Sequence, residues 1–121
     1  MKVISLNANG IRAAARKGFF GWMSRQKADV VCLQETRAHP DQITDRIYHP
    51  RRYHNVYHPA ERRGYSGVAT LSKAEPAAVK AGLGVEEYDV EGRVLVTEHP
   101  GFKLFNVYFP NGGRKLEQLS I

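Results

Sequence analysis

Apolar and polar positions along this chain switch between two periods, and the switches mark its elements. Val3-Ile4-Ser5-Leu6 is a short apolar stretch ended by Asn7, Asn9 and Gly10, which predicts a strand running into a turn. Over 11–26 the apolar positions Ile11, Ala14, Ala15, Phe19, Trp22 and Met23 recur at helical spacing between Arg12, Arg16, Lys17 and Arg25. This is the pattern of an amphipathic helix, with Gly18 and Gly21 weakening its middle. Segment 29–33 is apolar without alternation, as a central strand covered on both faces should be.

Gln34-Glu35-Thr36 leaves that strand, and a proline-broken polar stretch follows, with room for one short helix over 41–47. Segment 48–63 is rich in His, Arg and Tyr and has little periodicity, so it reads as loop with one short strand near 53–57. Segments 67–71, 93–97 and 102–109 are β-rich pieces bounded by Gly, Pro or charged residues, for which a meander is the simplest connection. Gly112-Gly113 followed by Arg114-Lys115-Leu116-Glu117-Gln118-Leu119 reads as the first turns of a helix, too short to be stable alone. With sheet edges left open as well, the pattern predicts a chain cut from a larger domain.

Composition narrows the class. A length of 121 residues sets a prior of one domain, and 42% hydrophobic with 25% charged residues is ordinary globular composition. A formal charge of +6 attracts polyanions, which favours nucleic acid or an anionic surface without choosing between them. Cys32 is the single cysteine, which excludes an intrachain disulfide and a multi-cysteine metal site. Within Val30-Val31-Cys32-Leu33 it reads as a buried small hydrophobe. The N-terminus leads straight into strand residues without signal-peptide architecture, and no long apolar span occurs. The expected location is the cytoplasm, with nucleoid association if the source is bacterial, and no membrane partner is expected.

Asn7 and Glu35 each stand at the C-terminal end of an expected strand, and the intervening helix would bring both to one rim of a sheet. A carboxylate beside a carboxamide offers hard oxygen ligands suited to Mg²⁺. The residues alone leave two readings open, this one and an Asn that caps a turn beside a Glu on a solvated loop. Tyr108, at a strand end, is by composition a core or interface filler. His39, His49, His54, His58 and His99 show no ligand spacing and read as loop surface.

Four segments carry a resemblance. Leu6-Asn7-Ala8-Asn9-Gly10-Ile11-Arg12 resembles the opening motif of the exonuclease III and abasic-site endonuclease family, within the endonuclease/exonuclease/phosphatase superfamily. Cys32-Leu33-Gln34-Glu35-Thr36 is similar to its second motif, Gly64-Tyr65-Ser66-Gly67-Val68-Ala69 to its third, and Tyr108-Phe109-Pro110-Asn111-Gly112-Gly113-Arg114 to its fourth. The Glu91-Gly92-Arg93 step also resembles the family, and order and spacing agree over essentially the whole chain.

The resemblance implies an α/β fold, a four-layer α/β sandwich with two sheets packed face to face between helical layers, truncated here. Residues 1–121 would form the N-terminal portion of a single nuclease domain. It implies Mg²⁺, with Mn²⁺ as a substitute, held by Glu35 as principal ligand, with Asn7 ligating directly or through water. Asn9 and Gln34 would support that site. Tyr108 would approach the scissile phosphate as a catalytic group together with Asn7. Asn111 and Arg114 would bind DNA near the abasic nucleotide, Tyr65 and Ser66 would line the same wall, and Arg62, Arg63 and Arg12 would contact the backbone without reading sequence. Arg16 and Lys17 read instead as the solvated face of the first helix.

The implied reaction is hydrolysis of the phosphodiester 5′ to an abasic site in duplex DNA, with 3′-5′ exonuclease action and clearing of blocked 3′ ends, by a monomeric parent. Relatives also carry a Gly-Asp-x-Asn segment and a late Ser-Asp-His segment that activate the attacking water, and neither occurs in these residues. Asp41, Asp45 and Asp89 do not carry the local sequence of those motifs. Two further readings therefore stand beside the first: a catalytically incomplete DNA-binding module or non-functional fragment, and a related metal-dependent phosphodiesterase.

Overall fold

A computed structural model describes residues 1–109. Seven strands and three helices follow in the order β1 (Val3–Asn7), α1 (Ile11–Arg16), α2 (Phe19–Gln26), β2 (Val30–Gln34), β3 (His54–His58), β4 (Val68–Ser72), β5 (Ala78–Ala81), α3 (Glu86–Asp89), β6 (Val94–His99) and β7 (Phe102–Val107). They form two sheets, one of order β1-β2-β4-β3 and one of order β5-β6-β7.

The single helix expected over 11–26 is two helices. The chain breaks at Gly18, which takes a left-handed φ of 90° and starts a second helical direction. Much of the expected apolar stripe is kept: Ile11, Phe19 and Met23, joined by Phe20, are buried against Val31 and Leu33 of β2 and Ala69 and Leu71 of β4, whereas Trp22 is 39% exposed. Because successive strand residues point to opposite faces, the other set (Cys32, Gln34, Val68, Thr70) is turned toward the second sheet. This two-sided cover is why β2 and β4 lack alternation in their sequences; β4 is buried along its whole length.

The segment expected as one helix over 41–47 is two short 3₁₀ turns, Pro40–Gln42 and Arg46–Tyr48. Pro40 and the Asp45 carboxylate, which accepts from Ile47 N, each start a separate turn, and this divides the segment. The simple meander of 67–71, 93–97 and 102–109 is also corrected. β4 joins the first sheet between β2 and β3, both antiparallel to it, and only β6 and β7 pair with each other. The two-faced burial of β4 requires a central place that a meander edge would not supply. β5, an exposed strand paired to β6, was not expected.

Three histidines depart from the loop-surface reading, the first being His54, which begins β3. His58 ends β3, and His99 ends β6, where it is buried, stacks on Phe102 at 4.9 Å and bonds Thr97 Oγ1 at 2.8 Å. Cys32 is buried, and desolvation pushes its thiol up to about 11, in keeping with an inert core residue. Among the described residues no helix is long and apolar enough to cross a membrane.

Asn106 of β7 ties the sheets together. Its Nδ2 donates to Ala69 O (2.7 Å), Thr70 Oγ1 (3.1 Å) and Leu33 O (3.3 Å), and its Oδ1 accepts from Gln34 Nε2 (2.9 Å). A buried amide satisfied on both sides in this way fixes the register of one sheet over the other, a constraint that apolar packing alone leaves loose.

Candidate active site

The site begins with the parallel pairing of β1 and β2. Their register sets Asn7 beside Gln34, so both strands end at one rim and Glu35 emerges next to Asn7. The ladder continues past the strands: Ala8 N donates to Gln34 O (2.8 Å), Gly10 N to Glu35 O (2.8 Å) and Ile11 N to Thr36 O (2.9 Å). On the other side, Thr36 N donates to Gly67 O (3.0 Å) and Arg37 N to Ser66 O (2.8 Å). The turn that carries Glu35 is thus hydrogen-bonded on both flanks.

That bracing holds an uncommon backbone. Glu35 and Arg37 both take left-handed φ, 54° and 53°, with the buried Thr36 between them. Left-handed backbone costs a non-glycine residue roughly 1–2 kcal/mol, so the flanking bonds hold side chains where glycine would be easier. Both side chains emerge together, and Arg37 forms an ion pair with Glu35 Oε2. Asn7 Nδ2 donates to Glu35 Oε1 at 3.0 Å, and Asn7 Oδ1 accepts from Asn9 N at 2.9 Å. The roles of Asn7 and Asn9 are therefore linked: Asn9 orients the amide, and the amide orients the carboxylate.

Burial works to raise the Glu35 carboxyl, but the hydrogen bonds from Asn7 and Arg37, the Arg37 charge and the Tyr108 hydroxyl together outweigh it, so its affinity for a proton is lowered. Tyr108 is shifted the other way, upward, first by its own desolvation and then by the neighbouring Glu35 charge. Its phenol is consequently protonated at neutral pH. Backbone pairing fixes its place, since Tyr108 N donates to Arg93 O at 2.8 Å.

Gln34, behind the carboxylate, donates to Ser5 Oγ (3.1 Å) and to Asn106, which links the rim to the bridge between the sheets. Tyr65 accepts from Arg93 (3.0 Å) and lies under the Arg62 guanidinium at 5.5 Å. Ser66 is buried with its hydroxyl directed at Gly92 O, so it shapes the turn from within. Arg63 pairs with Asp41 at 3.0 Å on the surface. Arg12 lines a cleft of about 340 Å³ with Arg16 and Arg37, and Arg16 is exposed there, as the solvated-face reading expects. Asn111 and Arg114 lie outside the described residues.

Three residues that the sequence reading did not single out belong to this arrangement. Arg37 carries no local signal, because its role depends on backbone strain at Glu35. Arg93, within the Glu91-Gly92-Arg93 step, pairs with Glu91 (3.0 Å) and holds Tyr65. Asn106 was legible in principle, as an amide inside an apolar strand.

A hard divalent cation fits the donors. Glu35 and Asn7 supply oxygens of the kind Mg²⁺ takes while keeping several of its waters. Among the described residues no group of three His, Cys, Asp or Glu exists, so a closed zinc-type site does not form there. The three aspartates considered as water-activating groups have other partners: Asp41 binds Arg63, Asp45 caps a turn at Ile47, and Asp89 accepts from Leu83 N and Gly84 N.

Residues 4–119 match the model of the Endonuclease/Exonuclease/phosphatase family. The chain is 43% identical to an exodeoxyribonuclease of Bacillus subtilis over 120 residues, covering 98% of this chain and 46% of that protein. It is 42% identical to the DNA repair nuclease APEX1 of Danio rerio, covering 98% of this chain and 39% of the relative. An AP endonuclease structure from Archaeoglobus fulgidus superposes with a TM-score of 0.81 at 29% identity, covering 99% of this chain and 48% of that one. The chain therefore spans less than half the length of each of these relatives.

Proposed function

The chain belongs to the Endonuclease/Exonuclease/phosphatase family, and on that premise we propose that it forms the metal- and phosphate-binding half of a DNA-repair nuclease. The proposed reaction is hydrolysis of the phosphodiester 5′ to an abasic site in duplex DNA, with 3′-5′ exonuclease action and trimming of blocked 3′ ends by the whole protein. The observation that carries this reading is the Glu35 carboxylate, held in left-handed backbone at the rim between Asn7 and Tyr108 and beside an arginine-lined cleft.

Glu35 would hold the ion, Mg²⁺ or Mn²⁺ in its place, and the remaining lone pair of Asn7 Oδ1 would reach it directly or through water. A bound ion would supply neutralisation of charge building on the phosphate and the leaving oxygen. Tyr108 would donate a hydrogen bond to a phosphate oxygen. Gln34 and Asn9 would keep the carboxylate and the amide in register. Arg12 and Arg62 would contact the DNA backbone, and Tyr65, Asn111 and Arg114 the region of the abasic nucleotide. Whole-protein action as a monomer in the cytoplasm belongs to the same proposal.

The test is nicking of a labelled duplex carrying one abasic site, with Mg²⁺ and with EDTA, for the whole protein and for its Glu35→Ala variant. Mg²⁺-dependent cleavage lost by at least about a hundredfold in the variant is the expected result. Equal cleavage by Glu35→Ala would refute the ligand assignment. The structural hydrogen bonds of Asp41, Asp45 and Asp89 favour a second reading, a duplex-binding module without turnover. That reading predicts binding of the same duplex and no cleavage.

A further inference from the structure

We infer that Arg37 competes with the metal ion for Glu35, and that on displacement it joins Arg12 and Arg16 to bind a DNA phosphate, so that metal and DNA binding reinforce each other. The inference rests on the proposal that Glu35 holds the metal. Both oxygens of the carboxylate are engaged, Oε1 by Asn7 Nδ2 and Oε2 by Arg37. Each oxygen keeps a lone pair for a cation, but a divalent ion bound there lies against both donors and repels the charged one. Asn7 is short, and its amide is tied through Oδ1 to Asn9 N. Arg37 has a long side chain that is 46% exposed, so it is the partner able to leave.

Once a divalent cation sits on the carboxylate, a guanidinium within a few ångströms is repelled, and the attraction that held it is largely neutralised. Its backbone does not follow, because Arg37 N is bonded to Ser66 O and the turn is braced on both flanks. Only the side chain swings, and the place open to it is already lined by it. The cleft formed by Asn9, Gly10, Arg12, Arg16, Arg37 and Gly64 has no carboxylate in its wall. Three guanidiniums without a counter-charge make an anion site, and a backbone phosphate is the anion that the proposed substrate brings there. Metal binding releases the third guanidinium, and by linkage a phosphate that engages it favours the metal-bound state equally.

Mn²⁺ affinity of the full chain, read from the EPR signal of the free ion, tests the competition for wild type, Arg37→Gln, Arg37→Lys and Glu35→Gln. Arg37→Gln should bind Mn²⁺ about fivefold more tightly than wild type, the size of a partly exposed ion pair. Affinity for a labelled duplex bearing an abasic analogue, measured in Ca²⁺ and in EDTA, should rise with the cation in wild type and lose most of that rise in Arg37→Gln. Unchanged or weaker Mn²⁺ binding by Arg37→Gln, with circular dichroism and melting equal to wild type, overturns the inference. If Arg37→Gln does not fold, Arg37→Lys carries the test: it should bind Mn²⁺ about twofold more tightly, because a point charge loses the planar fork, and no gain overturns the inference. Glu35→Gln separates the two levels. Mn²⁺ binding lost there while the Arg37 variants match wild type sinks this inference alone, whereas binding retained there sinks the metal assignment itself.

Discussion

The turn that leaves β2 and the connection from β5 to β6 both need left-handed backbone, and they obtain it differently. In the β5–β6 connection the positions are Gly82, Gly84 and Gly92, with φ of 93°, 89° and 60°. In the turn after β2 they are Glu35 and Arg37, and the cost of placing side chains there is met by hydrogen bonds donated by Gly10 N and Ile11 N and accepted by Ser66 O and Gly67 O. The β5–β6 connection is open to solvent, with Leu83 and Val85 both 40% exposed or more. Glycine suffices where only a path is needed; where a carboxylate must be presented at a fixed point, neighbouring elements carry the strain.

The largest effect that would break this contrast is on the scaffold behind the braced turn. Gly92 O accepts from Gly67 N, and a Cβ at Gly92 would lie 2.5 Å from Ala60 N and 2.7 Å from Pro59 C. Gly92→Ala should therefore cost about 2–4 kcal/mol of stability by urea unfolding, since backbone cannot yield as a side-chain tip can. Asn106→Ala, which removes the amide bridging the sheets and leaves Thr70 Oγ1 and Gln34 Nε2 each short of a partner, should cost about 2 kcal/mol by the same measurement.

A smaller effect is expected with pH. The Glu35 carboxyl lies below its ordinary value of 4.5, so it contributes stability that is present in full above that pH and is lost as pH falls through the lower folded value. Wild type should lose stability on acidification below about pH 4.5 more steeply than Glu35→Gln, and parallel curves would remove the carboxylate from the account. The smallest effect should come from the open connection. Leu83→Ser, at a side chain 50% exposed, should change stability by less than about 0.5 kcal/mol and leave DNA nicking unaltered.

Several parts of this arrangement were legible in the residues. Uniform apolarity over 29–33 marked β2 as a strand covered twice, and the strand-to-turn change at Asn7 and at Glu35 put both groups at strand ends. Family motifs around Asn7, Glu35, Tyr65 and Tyr108 then named the site. Ser66 was less legible: its motif suggested a wall facing DNA, whereas the backbone turns its hydroxyl inward to Gly92 O. The Arg16 side chain was read from helical periodicity as solvated, and it is exposed, on the wall of the cleft that it shares with Arg12 and Arg37.

Taken by itself, the sequence determined what depends on local chemistry: the strands over 3–6 and 29–33, the helical period over 11–26, the burial of Cys32 and the residue types able to meet a metal and a phosphate. The tertiary structure alone decided what depends on distant partners. The placing of β4 between β2 and β3, the four contacts of Asn106, the left-handed Glu35 and its pairing with Arg37 all rest on hydrogen bonds between segments far apart in the chain. A short stretch of residues records its own propensities, but the strain it can bear is set by what is bonded to it from outside.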